Sequence, residues 1–236
     1  MSPAQMTSQQ RFRETIQYGS PDRVPLFEEG IREEVIDAWR NQGLPPDMQL
    51  SERFQYDRRR EIQVDLEPRP ALDTRPTTNA ELNTFREHLD AADPERLSKS
   101  WQQLVASCHS GEATVMLNVH RGFFLTMGVQ SGSVFMQVMD LIIDRPQLIR
   151  DIMAIQGEFS ARMAERVLGE IDADAAIFSE PIGGNDKPLM SPEMYEDLVL
   201  PSYQPTLEVL KRHGVKTIIF RTYANARVLI PSILKW

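Results

Sequence analysis

Four short apolar runs in this chain end on side chains able to move protons or hold charge. Asp65 closes the run Ile62-Gln63-Val64, His120 and Arg121 follow the run 113–119, Glu180 follows 175–179, and Arg221 and Tyr223 follow 216–220. Polar residues at the C-terminal ends of parallel strands are where α/β folds place their chemistry. A carboxylate there can exchange or stabilise a proton, and Asp65 and Glu180 are the candidate catalytic residues. Glu180 is expected to direct its carboxylate over the strand ends, with bracing of a helix or loop as the alternative. A guanidinium at 221 suits a substrate carboxylate or phosphate, and an ion pair with Glu180 on the adjacent strand competes for it. Tyr223 stands beside it as a second binding residue. His120 is a candidate substrate-binding residue, able to act as acid, base or simple hydrogen-bonding group.

The elements that must position these residues can be read from hydrophobic periodicity. Five strands are expected, at 23–28, 62–66, 113–119, 175–179 and 216–220, alternating with helices. The clearest helix spans 146–168, opened by Asp144-Arg145-Pro146, with apolar positions at 148, 149, 152, 155, 159, 163 and 167. Ser191-Pro192-Glu193 reads as an N-cap, a proline first position and an acid in the first turn. Gly214 sits where the preceding helix should stop. Residues 123–143 read as helix with glycine interruptions, and Arg58-Arg59-Arg60 as a solvated helix face. The prolines between 68 and 79 predict a loop, and Gly183-Gly184 a mobile loop over the strand ends. Alternating strands and helices predict a parallel sheet with right-handed crossovers. Residues 1–22 form an N-terminal tail and helix, and 23–236 one α/β domain.

Composition limits the functions open to the chain. The net charge of −8 over 236 residues leaves no basic surplus for phosphate backbones, so nucleic acid is not an expected partner. The single cysteine, Cys108, excludes an internal disulfide and offers no metal framework. The most apolar region, 123–143, is broken by Gln130, Gln137 and Asp140, so no membrane span is expected, and the expected location is cytoplasmic.

Ordered along the chain from residue 11, a set of short motifs resembles the uroporphyrinogen decarboxylase superfamily, which includes corrinoid-dependent methyltransferases. They are Pro21-Asp22-Arg23-Val24-Pro25, Asp144-Arg145-Pro146-Gln147, Leu189-Met190-Ser191-Pro192-Glu193-Met194-Tyr195, Leu200-Pro201, His213-Gly214, and Asn225 followed by Leu229-Ile230-Pro231. The resemblance implies a (β/α)8 barrel of the TIM type, here incomplete, with about five of eight βα units after extra N-terminal helices. It implies a small-molecule substrate: a tetrapyrrole that is decarboxylated without a cofactor, or a methyl-group substrate linked to a corrinoid carried by a partner protein. Asp65 matches the decarboxylase's catalytic aspartate. The arginine-rich loop after the family's first strand reads Phe27-Glu28-Glu29-Gly30-Ile31-Arg32 here, with Arg32 its candidate substrate-binding residue. The family's active-site tyrosine falls near Thr126, where no tyrosine stands. The methyltransferases' zinc-binding His-x-Cys pair reads Arg221-Thr222-Tyr223, so zinc is not expected and no metal ligands are assigned. A barrel cut after its fifth strand would leave an open edge, so a homodimer, a complementing chain, or a non-catalytic assembly role is the alternative of another class.

Overall fold

The computed structural model of the chain describes residues 5–223 and 225–236, the side chains of Ser51 and Glu52 excepted. Residues 1–4 of the expected tail lie outside the described residues. In chain order the helices are α1 (Ser8–Ile16), α2 (Glu33–Asn41), α3 (Leu50–Arg53), α4 (Leu82–Glu87), α5 (Trp101–Cys108), α6 (Phe123–Thr126), α7 (Gly132–Asp144), α8 (Pro146–Leu168), α9 (Pro192–Leu198), α10 (Gln204–Arg212) and α11 (Ile230–Ile233). The strands are β1 (Arg59–Ile62), β2 (Thr114–His120), β3 (Ala175–Ser179) and β4 (Ile218–Arg221). They form one sheet in the order β1-β2-β3-β4, every pair parallel. Each strand therefore pairs with the next in sequence, the order that successive βαβ units produce. The reversal of strand order that marks a doubly wound sheet is absent among the described residues. No helix among them is long and apolar enough to cross a membrane.

Alternation along the strands explains the two layers. Ile62, Val115, Leu117, Val119, Ala176 and Phe178 face the main core, with Phe220 packed beside them. On the other face Met116, Ala175 and Ile177 pack with Phe12 of α1, and with Phe27 and Ile219. A strand buried on both faces reads as a continuous apolar run, as β3 does. Helix α8 begins on Pro146 and buries Ile149, Ile152, Phe159, Met163 and Val167. It packs against β2, α7 and α10. Thr7 and Gln10 close a capping box at the start of α1, Gln10 N donating to Thr7 Oγ1 at 3.2 Å and Thr7 N to Gln10 Oε1 at 3.0 Å.

Two strand expectations are corrected. Residues 23–28 are not a strand, although they run beside the start of β1. Pro25 has no N–H to give, and the segment is held instead by Asp57, which accepts from Leu26 N at 2.8 Å and donates its own N–H to Leu26 O at 2.7 Å. The sheet therefore has four described strands rather than five. The second expected strand ends at Ile62, and its start includes Arg59 and Arg60, which were expected on a helix. The Arg59 guanidinium lies 5.7 Å from the centre of the Phe27 ring and pairs with Glu29 at 2.6 Å, which gives a long basic side chain a place on a strand.

At Gly157 the backbone of α8 lies directly against the turn that precedes α10. A Cβ there would sit 2.2 Å from the Ser202 carbonyl oxygen, a backbone atom that cannot swing aside. Gly157→Ala should lower unfolding free energy by at least about 2 kcal/mol, read from the urea midpoint at unchanged slope.

Candidate functional site

The β2–β3 register slips between Asn118 and His120, so that Asn118 opposes Ile177 while His120 opposes Phe178. One extra residue on β2 turns His120 away from the Met116 face and towards the helical layer. Its ring there lies 4.5 Å from that of Tyr203 and 6.1 Å from that of Phe178, centre to centre. His120 Nε2 is 3.3 Å from Oε2 of Glu180, which is fully buried. The same carboxylate accepts from Tyr203 OH at 2.6 Å and, through Oε1, from Phe123 N at 2.8 Å. Tyr195 OH lies 2.9 Å from Tyr203 OH and completes the buried chain. Burial, reinforced by the Glu180 charge, pushes both phenols above the ordinary tyrosine range. Glu180 thus braces the loop after β2, and its carboxylate does not reach over the strand ends. Gly122 makes room for this: at φ +94° its Cβ would sit 2.6 Å from Pro181 and 3.1 Å from Glu180 Oε1.

A second network covers the opposite face. Arg221 shares that face with Ile219, so it turns from Glu180 and forms a two-pronged pair with Glu61, at 2.8 and 2.9 Å. Asn118 Nδ2 donates to Glu61 at 2.6 Å and Gln63 Nε2 at 2.8 Å. The expected Arg221–Glu180 side-chain pair is therefore replaced by Arg221–Glu61; only the backbones meet, Glu180 N donating to Arg221 O at 2.7 Å. Arg221 and its hydrogen bonds hold the Glu61 carboxyl at about 2, against an ordinary 4.5.

Beyond β1 the chain turns on Asp65, whose Oδ1 accepts from Glu67 N at 2.9 Å and whose Oδ2 pairs with Arg69. The buried Arg96 fastens this turn from below, donating to Asp65 O at 3.1 Å, Glu67 O at 2.7 Å and His88 O at 2.8 Å, with its guanidinium 4.5 Å from the Phe159 ring centre. Glu67 in turn accepts from Arg75 at 2.7 Å and pairs with Arg121.

These networks surround a cleft of about 330 Å³ at the C-terminal end of the sheet, lined by Asp65, Glu67, Asn118, His120, Arg121, Ser179, Arg221 and Tyr223 among others. Asp65, His120, Arg221 and Tyr223 all line this cleft. Glu180 lies beneath them, and Arg32, exposed at the start of α2, is not part of the lining. Tyr223 is largely exposed at the rim. The Gly183-Gly184 loop is tied down, Gly184 N donating to Lys187 O at 2.8 Å and Asn225 N to Gly184 O at 3.2 Å. Among the described residues no group of three or more His, Cys, Asp or Glu side chains is placed to hold a metal ion.

Comparison with protein-family models, with curated proteins and with solved structures gives no match.

Sequence reasoning missed Glu61, Tyr203 and Tyr195. Glu61 sits one residue inside β1, and its only signal is an acid facing the same way as the strand-end polar groups. Tyr203 lies between Pro201 and Pro205, where the pattern reads as a helix junction rather than as a site.

Because the folded-state value of Glu61 is depressed, its contribution to stability is present above about pH 4.5 and is lost as pH falls through about 2. Glu61→Gln should cost on the order of 2 kcal/mol near neutral pH. The gap between variant and wild type in denaturant unfolding should narrow steadily on acidification across that window. A gap independent of pH would remove Arg221–Glu61 from the account.

Proposed function

We propose that the chain is a divergent enzyme of the uroporphyrinogen decarboxylase type, built on a partial (β/α)8 barrel, that carries out proton-assisted decarboxylation on a pyrrole ring of a tetrapyrrole. The observation that carries this reading is the meeting of Asp65, His120, Arg221 and Tyr223 in one cleft at the C-terminal end of a parallel sheet wound in sequence order. The sequence resemblance also puts the family's catalytic aspartate at Asp65, which stands on the turn after β1.

In this reading a pyrrole ring enters the cleft and is protonated on carbon. Asp65, held in place by Glu67 N and Arg69, stabilises the cationic ring. The bond to the carboxylate carbon then breaks, carbon dioxide leaves, and the electron pair neutralises the ring cation as an exocyclic methylene. That methylene takes up a proton from solvent and the ring carbon releases the one it gained, which leaves a methyl group on a restored pyrrole. Arg221 and Tyr223 orient the ring, and His120 links the cleft to the buried Glu180. No cofactor takes part.

One observation favours a second reading, methyl transfer involving a corrinoid-bearing partner protein. At about 330 Å³ the cleft is near the small end of ligand pockets and open to solvent, so most of a tetrapyrrole would lie outside it. A partner docked over the opening would complete the enclosure.

With a reduced tetrapyrrole carrying acetate side chains as substrate, Asp65→Asn should lower turnover by at least about 100-fold, the scale of a lost proton-handling group. Its urea midpoint should stay close to that of the wild type. Carbon dioxide release at the wild-type rate in this variant would remove Asp65 from the mechanism.

A further inference from the structure

The carboxylates around the cleft are not equally matched by cations. Asp65 shares Arg69 with the exposed Glu95, which pairs with it at 3.0 Å, and Glu61 has Arg221 with Arg59 more distant, at 3.7 Å. Glu67 alone bridges two guanidinium groups at close range, Arg75 at 2.7 Å and Arg121. Two fixed cations on one carboxylate leave a positive charge over, and Arg75 is poorly hydrated, with its side chain 11% exposed. Arg75 is bound through Nε to Thr126 O at 2.9 Å and through Nη2 to Glu67, whereas its Nη1 makes no hydrogen bond among the described residues. Burial and the nearby Arg121 both work against the Arg75 charge, and Glu67 is the acid that supports it.

The position of this cluster is as informative as its charge. Glu67 and Arg121 line the strand-end cleft, while Arg75 lines a larger cavity of about 1100 Å³ between the 71–77 loop and α7. The cluster is therefore the wall between the two spaces. Gly128, at φ +76°, lets the Arg75 stem lie against the backbone, for a Cβ there would sit 3.0 Å from Arg75 Cγ. The acids on the same cavity, Asp73, Asp140 and Asp144, are exposed on its solvent side together with Arg145. None of them answers the Arg75 charge.

We infer that Arg75 and Arg121, bridged by Glu67, form a subsite for one oxyanion, a carboxylate or a phosphate, on a small molecule bound across the two spaces. A planar guanidinium with unused N–H groups suits such an anion, and the surplus cation gives it a charge to neutralise. The inference deepens the proposed function, on which it rests for the identity of the molecule bearing the anion: a substrate presenting one acidic group to this wall while its ring meets Asp65.

The test is direct binding, without turnover. Thermal midpoints are followed against inorganic phosphate and, separately, acetate, at fixed ionic strength, for the wild type, Arg121→Gln and Glu67→Gln. Saturable stabilisation of the wild type is expected with at least one probe, and which one saturates assigns a phosphoryl group or a carboxylate. Arg121→Gln should weaken that binding by about tenfold. Glu67→Gln removes the carboxylate that competes for the same N–H groups, so it should fold less stably yet bind the anion about tenfold more tightly. A merely structural ion pair would give the loss of stability without the gain in affinity. Absence of saturable binding in the wild type, or equal affinity in all three proteins, overturns the subsite. Saturable binding in a protein that shows no decarboxylation would sustain the subsite and count against the proposed reaction alone.

Discussion

The fully buried carboxylate of Glu180 ties together three pieces of chain that meet at the end of the sheet. It takes hydrogen bonds from the backbone N–H that opens α6 and from Tyr203, and it lies within reach of His120. A carboxyl group away from water is costly unless its oxygens are hydrogen-bonded, and here two donors and the His120 ring surround it. Removing any one donor would leave charge or polarity uncompensated in the core. The exit of β2, the exit of β3 and the 200–203 turn are therefore fixed relative to one another. The cleft above inherits its shape from that constraint.

The register slip at Asn118–His120 lets a single strand serve both faces. Asn118 stays on the α1 face and supports Glu61, while His120 crosses to the helical face and meets Glu180. The cleft is bounded by one hydrogen-bonded network beneath and another alongside, and Asp65 stands on a turn clamped by Arg96 from below. Side chains so held by their neighbours are preorganised, which suits proton transfer in a partly enclosed site better than side chains free to rotate.

Much of this arrangement was legible in the sequence. The apolar run of β3 and the 146–168 helix follow from periodicity and from Pro146, and both stand where the pattern put them. Asp65, His120, Arg221 and Tyr223 line one cleft, but Asp65 does so from a turn beyond β1, because that strand spans 59–62 and not the expected 62–66. Partner choice was not legible. Arg221 meets Glu61 rather than Glu180 because strand alternation, not sequence proximity, decides which face a side chain takes. The run at 23–28 has the composition of a strand, but Pro25 removes a ladder donor and Asp57 captures the neighbouring backbone groups. The bulge that turns His120 and the crowding that requires Gly122 depend on contacts between residues some sixty positions apart. No local pattern announces them.

The central claim is that the strand-end cleft receives a pyrrole bearing carboxylate side chains. Its most direct test is amide chemical-shift mapping during titration with a single pyrrole that carries acetate and propionate groups. The account predicts saturable shifts concentrated at Asp65, Glu67, Asn118, His120, Arg121 and Tyr223, the residues that line the cleft. Shifts centred elsewhere on the molecule, or none up to millimolar ligand, would contradict it.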